Sequence, residues 1–105
     1  MLTRKFRRMQ LACRAMVTSG GEKFDALTEN ISLDGLFLRT ECPIPVGRKA
    51  AITLNLPSAS TSEAVMVEGE VVRRDDHGLA FQFKSLSHDT FALLRMVLGK
   101  RPHYI

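Results

Sequence analysis

Apolar residues fall at every second position along several short stretches of this 105-residue chain, and this two-residue period constrains the fold more than any other feature. The clearest stretch begins at Gly47 and places Ala50, Ile52, Leu54 and Leu56 on one side. Successive side chains of a β-strand point to opposite faces of the sheet, so this spacing predicts a strand with one buried face. We therefore expect the chain to fold mainly as β-sheet.

Five other stretches of similar character are bounded by residues typical of turns. Residues 19–22 contain two glycines and predict a hairpin turn, residues 57–62 predict a loop, and residues 75–78 predict another turn. Gly69 lies in mid-strand and predicts a bend or bulge that curves the sheet. The six predicted strands cover residues 11–18, 23–28, 36–40, 47–56, 65–71 and 79–83.

The apolar period lengthens after residue 86. Phe91, Leu94 and Leu98 share one face of a predicted helix, and Ser87 is placed to cap its N-terminus. Six short strands followed by one helix predict an all-β fold, a six-stranded antiparallel β-barrel with a C-terminal α-helix packed on it. Residues 1–105 are predicted to form one domain, with an arm over 1–10, the barrel over 11–86 and the helix over 87–100.

The excess positive charge lies at the N-terminus. The net charge is +4, and residues 1–21 contain Arg4, Lys5, Arg7, Arg8 and Arg14 without any acidic residue. The rest of the chain carries ten basic and 11 acidic residues. This distribution indicates an anionic partner for the N-terminal arm.

The motifs disfavour several other classes of protein. Cys13 and Cys42 form no C-x-x-C pair and have no histidine at metal-ligand spacing, so we expect two reduced thiols and no metal site. The sequence shows no pairing of nucleophile and base, so neither catalysis nor a cofactor is expected. No apolar run is long enough to span a membrane and no secretory signal is apparent, which favours a cytoplasmic protein.

Two polar constellations are suited to binding a guanine nucleotide. Arg4 and Arg8 are four residues apart, so in an extended arm both guanidinium groups lie on one side and can fork onto phosphate or onto guanine O6 and N7. The opposite edge of guanine carries N–H donors, for which Asn30 and Asp34 offer acceptors. Gly35 permits a positive φ and lets a ligand or another backbone come close.

These residues resemble the two signature motifs of PilZ domains, the bacterial receptor family for cyclic di-GMP. Arg4-x-x-x-Arg8 is similar to the first motif and Asn30-x-Ser32-x-x-Gly35 to the second, and the likeness extends through nearly the whole chain. The resemblance implies a β-barrel with the arginine arm folded across cyclic di-GMP. It also implies that the second motif holds the other side of the ligand. The predicted ligand-binding residues are Arg4, Arg7, Arg8, Asn30, Ser32, Asp34 and Gly35.

We therefore expect a receptor that converts the level of cyclic di-GMP into a protein–protein signal, as a monomer or homodimer with an unidentified downstream partner. Ordering of residues 1–10 by the ligand is the expected switch. One alternative is a PilZ-like scaffold that contacts a partner without binding ligand. The other is a barrel that binds RNA or another single strand through its arm. The strands show no obvious exposed aromatic platform for bases, so we do not expect nucleic acid to be the partner.

Overall fold

The computed structural model describes residues 8–58 and 61–99 of the chain. Within these residues the chain forms seven strands and one helix. In chain order they are β1 (Met9–Gln10), β2 (Arg14–Ser19), β3 (Glu22–Ile31), β4 (Gly35–Arg39), β5 (Lys49–Ser58), β6 (Thr61–Arg74), β7 (Gly78–Ser85) and α1 (His88–Gly99).

Six of the strands close into an antiparallel barrel. Their order is β3, β2, β5, β6, β7 and β4, and β4 returns to pair with β3. The remaining strand, β1, extends the same edge of β3 that pairs with β2. The predicted six-stranded barrel with a C-terminal helix is therefore confirmed.

The alternating residues place the core inside this barrel. Ala50, Ile52, Leu54 and Leu56 are all buried in the core cluster, which confirms the predicted face of β5. On β2 the same rule holds, because every second residue is buried. The predicted bulge at Gly69 is also present, since the ladder between β6 and β7 shifts register there.

The N-terminal arm contains a short strand that was not predicted. Met9 pairs with Ile31 and Gln10 with Asn30, on the edge of β3 that is left open where the ladder with β2 ends at Leu27. A sheet edge has unused backbone donors and acceptors, and two residues of the arm satisfy them. The end of the arm therefore lies against β3.

The hydroxyl of Thr28 fixes the bend between β1 and β2. It accepts a hydrogen bond from the backbone N–H of Cys13 at 2.9 Å and donates one to the carbonyl oxygen of Leu11. Thr28 is buried, so both bonds are shielded from water. A residue in β3 thus sets where the N-terminal chain enters the barrel.

The prediction of a loop over residues 57–62 is wrong at both ends of this range, which belong to strands. Pro57 pairs with Ser62 and Ser58 with Thr61, so the hairpin between β5 and β6 continues almost to its tip. Proline lacks an N–H donor but is tolerated in an edge strand. The ladder between β2 and β5 ends at Leu54, so Pro57 lies in such an edge.

Helix α1 begins as predicted. The backbone N–H of Thr90 donates to Oγ of Ser87 at 3.1 Å, which confirms Ser87 as the N-cap. Leu94 and Leu98 of the predicted apolar face are buried, whereas Phe91 is only half-buried. Within the described ranges, no helix has the length and apolar character needed to cross a membrane.

Candidate functional site

The connection between β3 and β4 is shorter than the predicted segment, because Asn30 belongs to β3 and Gly35 to β4. Only residues 32–34 form the turn. Oγ of Ser32 donates to Oδ1 of Asp34 at 2.5 Å and accepts from the Asp34 backbone N–H at 3.2 Å. Ser32 is fully buried, and its hydroxyl orients the Asp34 carboxylate through this bond.

Gly35 is required for close approach and not for a positive φ. The described glycines with positive φ are Gly20, Gly21 and Gly47, so Gly35 does not use the positive φ that glycine permits. A Cβ atom at Gly35 would instead collide with the backbone carbonyl oxygen of Phe81 on β7. The missing side chain therefore lets β4 lie tight against β7.

The two sequence motifs meet at a hydrogen bond. Nη1 of Arg8 donates to Oδ1 of Asn30 at 2.9 Å, although the residues are 22 positions apart. The pairing of Gln10 with Asn30 brings the arm to this point of β3. A cation of the first motif therefore lies directly beside an amide of the second.

A cleft of about 230 Å³ opens next to this contact. Arg8 and Asp34 supply opposite charges to its wall, and Gly35 lines it as well. Its remaining lining comes from Val72, Phe81 and Gln82. The cleft thus offers both guanidinium donors and carboxylate acceptors to a planar polar ligand.

Four residues from four different strands form a row across the outer face of the barrel beside Arg8. Asn30 on β3 pairs with Phe37 on β4, Phe37 pairs with Ala80 on β7, and Ala80 pairs with Arg73 on β6. The guanidinium of Arg73 lies 5.5 Å from the centre of the Phe37 ring, within range of a cation–π interaction. A second arginine is therefore held at the far end of the row from Arg8.

A turn between β6 and β7 supports Arg73. Nη1 of Arg73 lies 3.4 Å from Oδ2 of Asp75. Oδ1 of Asp75 accepts hydrogen bonds from the backbone N–H groups of His77, at 2.8 Å, and Gly78, at 3.1 Å. The bond from His77 is the main reason that the pKa of Asp75 lies below its usual value, with the Gly78 bond and the charge of Arg73 adding to it.

Three of the predicted site residues, Arg8, Asp34 and Gly35, line the cleft. Asn30 does not line it but accepts a hydrogen bond from Arg8. Ser32 does not line it and acts through Asp34. Arg4 and Arg7 lie outside the described residues.

Sequence reasoning missed Val72 and Gln82, which also line the cleft. Val72 is the extra residue of a bulge, because Val71 pairs with Phe81 and Arg73 with Ala80. A bulge re-aims a side chain, and no local residue pattern marked this one. The sequence indicated Arg73 only weakly as a site residue, since it is one of two arginines that precede an acidic turn.

The described residues contain no group of three or more His, Cys, Asp or Glu side chains arranged to hold a metal ion. Cys13 and Cys42 are both free thiols. Burial raises the pKa of Cys13, and the Cys42 pKa is raised by desolvation and by its neighbour Glu22. Neither thiol is therefore activated as a nucleophile.

The sequence profile of the PilZ domain matches residues 2–99 of the chain. A search of curated proteins found no match. Among solved structures, the chain is similar to the Bacillus subtilis inhibitor of motility (MotI/DgrA), with a TM-score of 0.79 and 18% identity. That alignment covers 96% of this chain and 54% of the other, so the chain spans about half the length of that protein.

Two other solved structures are also similar and are described as PilZ domains. One is the PilZ domain of CeSA from a cellulose-synthesizing bacterium, with a TM-score of 0.69, 16% identity and coverage of 89% of this chain and 96% of that one. The other is the PilZ domain of YcgR from Escherichia coli with c-di-GMP, with a TM-score of 0.73, 15% identity and coverage of 93% and 91%. At these identities the likeness concerns the fold.

Proposed function

Because this chain belongs to the PilZ domain family, we propose that it is a receptor for cyclic di-GMP. The structurally similar PilZ domain of YcgR is described with c-di-GMP. The observation that carries the proposal is the hydrogen bond from Arg8 to Asn30, since it joins the two motifs at the mouth of a polar cleft.

Each edge of a guanine finds a suitable group in the cleft. The Arg8 guanidinium can donate to O6 and N7, and the Asp34 carboxylate can accept from the N–H groups of the opposite edge. The hydrogen bond of Ser32 to Oδ1 holds the carboxylate in position before a ligand arrives. Binding would exchange the contact of Arg8 with Asn30 for contacts with the ligand, which leaves the Asn30 amide available as a further acceptor.

The cleft accommodates only part of cyclic di-GMP. Its volume of about 230 Å³ is below the roughly 300–1,000 Å³ of sites that enclose drug-sized ligands. The remaining base and the phosphates would contact other cations. Arg4 lies four residues before Arg8 and Arg7 directly before it, and Arg73 lies at the other end of the row that starts at Asn30. These arginines are the groups that we propose for the phosphates and the outer guanine face.

The signalling step follows from the position of the arm. Residues 1–10 carry four of the cations, and two ligand phosphates would offset their mutual repulsion. A ligand-ordered arm would present a combined surface of arm, ligand and barrel to a downstream protein. We propose that the protein acts in this way in the cytoplasm, as a receptor without catalytic activity of its own.

Isothermal titration with cyclic di-GMP tests the proposal, with cyclic di-AMP and GTP as controls. We expect saturable binding of cyclic di-GMP and little binding of cyclic di-AMP, because adenine places an N6 donor where guanine has an acceptor for arginine. Absence of binding to all three would favour a scaffold that only contacts a partner. Equal binding of both dinucleotides with a steep salt dependence would favour a general phosphate or single-strand site.

A further inference from the structure

Gln82 on β7 brings an amide to the wall of the cleft that Arg8 and Asp34 also line. Its neighbours in the strand, Phe81 and Phe83, pack into the core, so the Gln82 side chain points to the outer face of the barrel and is exposed there. Within the part of the chain that the structure describes, this side chain takes part in no hydrogen bond. Both its carbonyl oxygen and its NH2 group are therefore available to a ligand.

The strands on either side of β7 do not occupy this amide. Gln82 is paired with Gly35 on β4, which has no side chain, and with Glu70 on β6. The carboxylate of Glu70 lies 3.4 Å from Nζ of Lys84, so it is engaged by a cation two residues further along β7. Neither neighbour therefore competes with a ligand for the Gln82 amide.

The main chain holds Gln82 next to Asp34. The backbone N–H of Phe83, the residue after Gln82, donates to the carbonyl oxygen of Asp34 at 2.9 Å. The turn that carries the carboxylate acceptor is thus bonded to the strand that carries the amide. A guanine whose N1–H and N2–H groups face Asp34 has an adjoining edge on its sugar side, where it presents N3 as an acceptor and the second hydrogen of the N2 amine as a donor.

We propose that Gln82 binds this sugar edge of guanine and is a further specificity-determining residue of the site, an inference that rests on the proposed binding of cyclic di-GMP. Oε1 of Gln82 would accept from the N2 amine and Nε2 would donate to N3, as one carboxamide can do at once. Adenine and hypoxanthine keep N3 but lack the N2 amine, so they can form only one of the two bonds. Arg8, Asp34 and Gln82 would contact three different edges of one base.

Titration calorimetry of the full chain with cyclic di-GMP and cyclic di-IMP, in which hypoxanthine replaces guanine, tests the proposal. The wild type should bind cyclic di-GMP at least about tenfold more tightly, since cyclic di-IMP loses bonds to both Asp34 and Gln82. Gln82→Leu should weaken binding of cyclic di-GMP about fivefold and that of cyclic di-IMP by less, because only cyclic di-GMP has the N2 amine. Gln82→Glu keeps the acceptor oxygen and should retain the preference for cyclic di-GMP.

Asn55→Leu is the matched control, because it also replaces an exposed amide by leucine, on β5 and outside the cleft. It should bind both dinucleotides like the wild type, and thermal melting of every variant checks that it is folded. If the wild type binds and Gln82→Leu has the same ratio of the two affinities, the role of Gln82 is overturned while the proposed function stands. Failure of the wild type to bind either dinucleotide would overturn the proposed function and this inference together.

Discussion

Gly35 lies against the backbone of Phe81 so closely that a Cβ atom on residue 35 would overlap the Phe81 carbonyl oxygen. Both groups belong to the β4–β7 ladder, and a carbonyl in a ladder cannot move aside as a flexible side chain can. We therefore expect Gly35→Ala to lower the free energy of unfolding by about 1–3 kcal/mol or more, as overpacked sites do. Urea denaturation at neutral pH measures this change.

Gly99→Ala is the matched control for this substitution. A Cβ at Gly99, the last residue of α1, would meet no atom within 4 Å. We expect unchanged or slightly increased stability, because alanine favours a helix more than glycine does. Equal stability of Gly35→Ala and the wild type would show that β4 and β7 are not in close contact at this position.

Substitution of Arg8 should separate ligand affinity from stability. Arg8→Ala is expected to weaken binding of cyclic di-GMP by about 1–3 kcal/mol, since a forked contact to guanine is lost. Arg14→Ala is the control, because Arg14 belongs to the same basic N-terminal segment but lies exposed on β2. Titration calorimetry and thermal melting of both variants distinguish the two residues. If Arg8→Ala and Arg14→Ala lost the same affinity, Arg8 would contribute only through the net charge of the N-terminal segment.

Ser32→Ala should affect stability first and binding second. The buried hydroxyl bonds to the side chain and backbone of Asp34 and to the carbonyl oxygen of Gly35, at 3.3 Å. Loss of these bonds should lower the free energy of unfolding by about 1–3 kcal/mol and weaken ligand binding through a misplaced Asp34. Ser85→Ala is the control, because the Ser85 hydroxyl is exposed. Wild-type stability of Ser32→Ala would mean that the turn does not depend on this hydroxyl.

Asp75 should contribute to the pH dependence of stability. Its pKa is lowered in the folded protein, mainly by the hydrogen bond from the His77 N–H, so the ionised carboxylate favours folding. This stabilisation is complete above the unfolded pKa of about 3.9 and is lost as the pH falls through the lower folded pKa. Asp75→Asn should therefore lose less stability than the wild type between about pH 5 and pH 2. Urea denaturation curves at several pH values give the comparison, and parallel pH profiles would contradict it.

Much of the barrel follows from local sequence patterns. The alternation of Ala50, Ile52, Leu54 and Leu56 predicts which face of β5 is buried, and the glycine pair at 20–21 predicts the first hairpin. Both signals act within a few residues, through the pleat of one strand and the backbone freedom of two glycines. Such features can be predicted from one stretch of chain at a time.

The surroundings of the cleft depend on register between distant strands and could not be predicted in this way. Arg73 and Asn30 belong to one row only because the barrel closes through β4 and because Val72 forms a bulge. Strand β1 has only two residues, too few to show a period. The second motif predicted which residues form its turn. It did not predict that Ser32 is buried and that Asp34 faces the cleft.

The short strand β4 completes the barrel, and its ladder with β7 has a glycine at each end. Gly35 is paired with Gln82 at one end, and Gly78 is paired with Arg39 at the other. A Cβ at Gly78 would overlap the carbonyl oxygen of Leu38, much as one at Gly35 would overlap that of Phe81. This boundary between β4 and β7 therefore tolerates neither added atoms nor a shift in register.

Opening of the barrel would also begin at this boundary, because β4 is the shortest strand of the ring and its separation breaks the fewest buried contacts. A molecule lying over Asn30, Phe37 and Ala80 would bridge β4 to both of its neighbours. Amide protons deep in the barrel exchange with solvent only when the ring opens, so a ligand bound across β4 would slow this exchange. Its effect would extend to amides on β5, on the opposite side of the ring from β4, which no ligand on this face can touch.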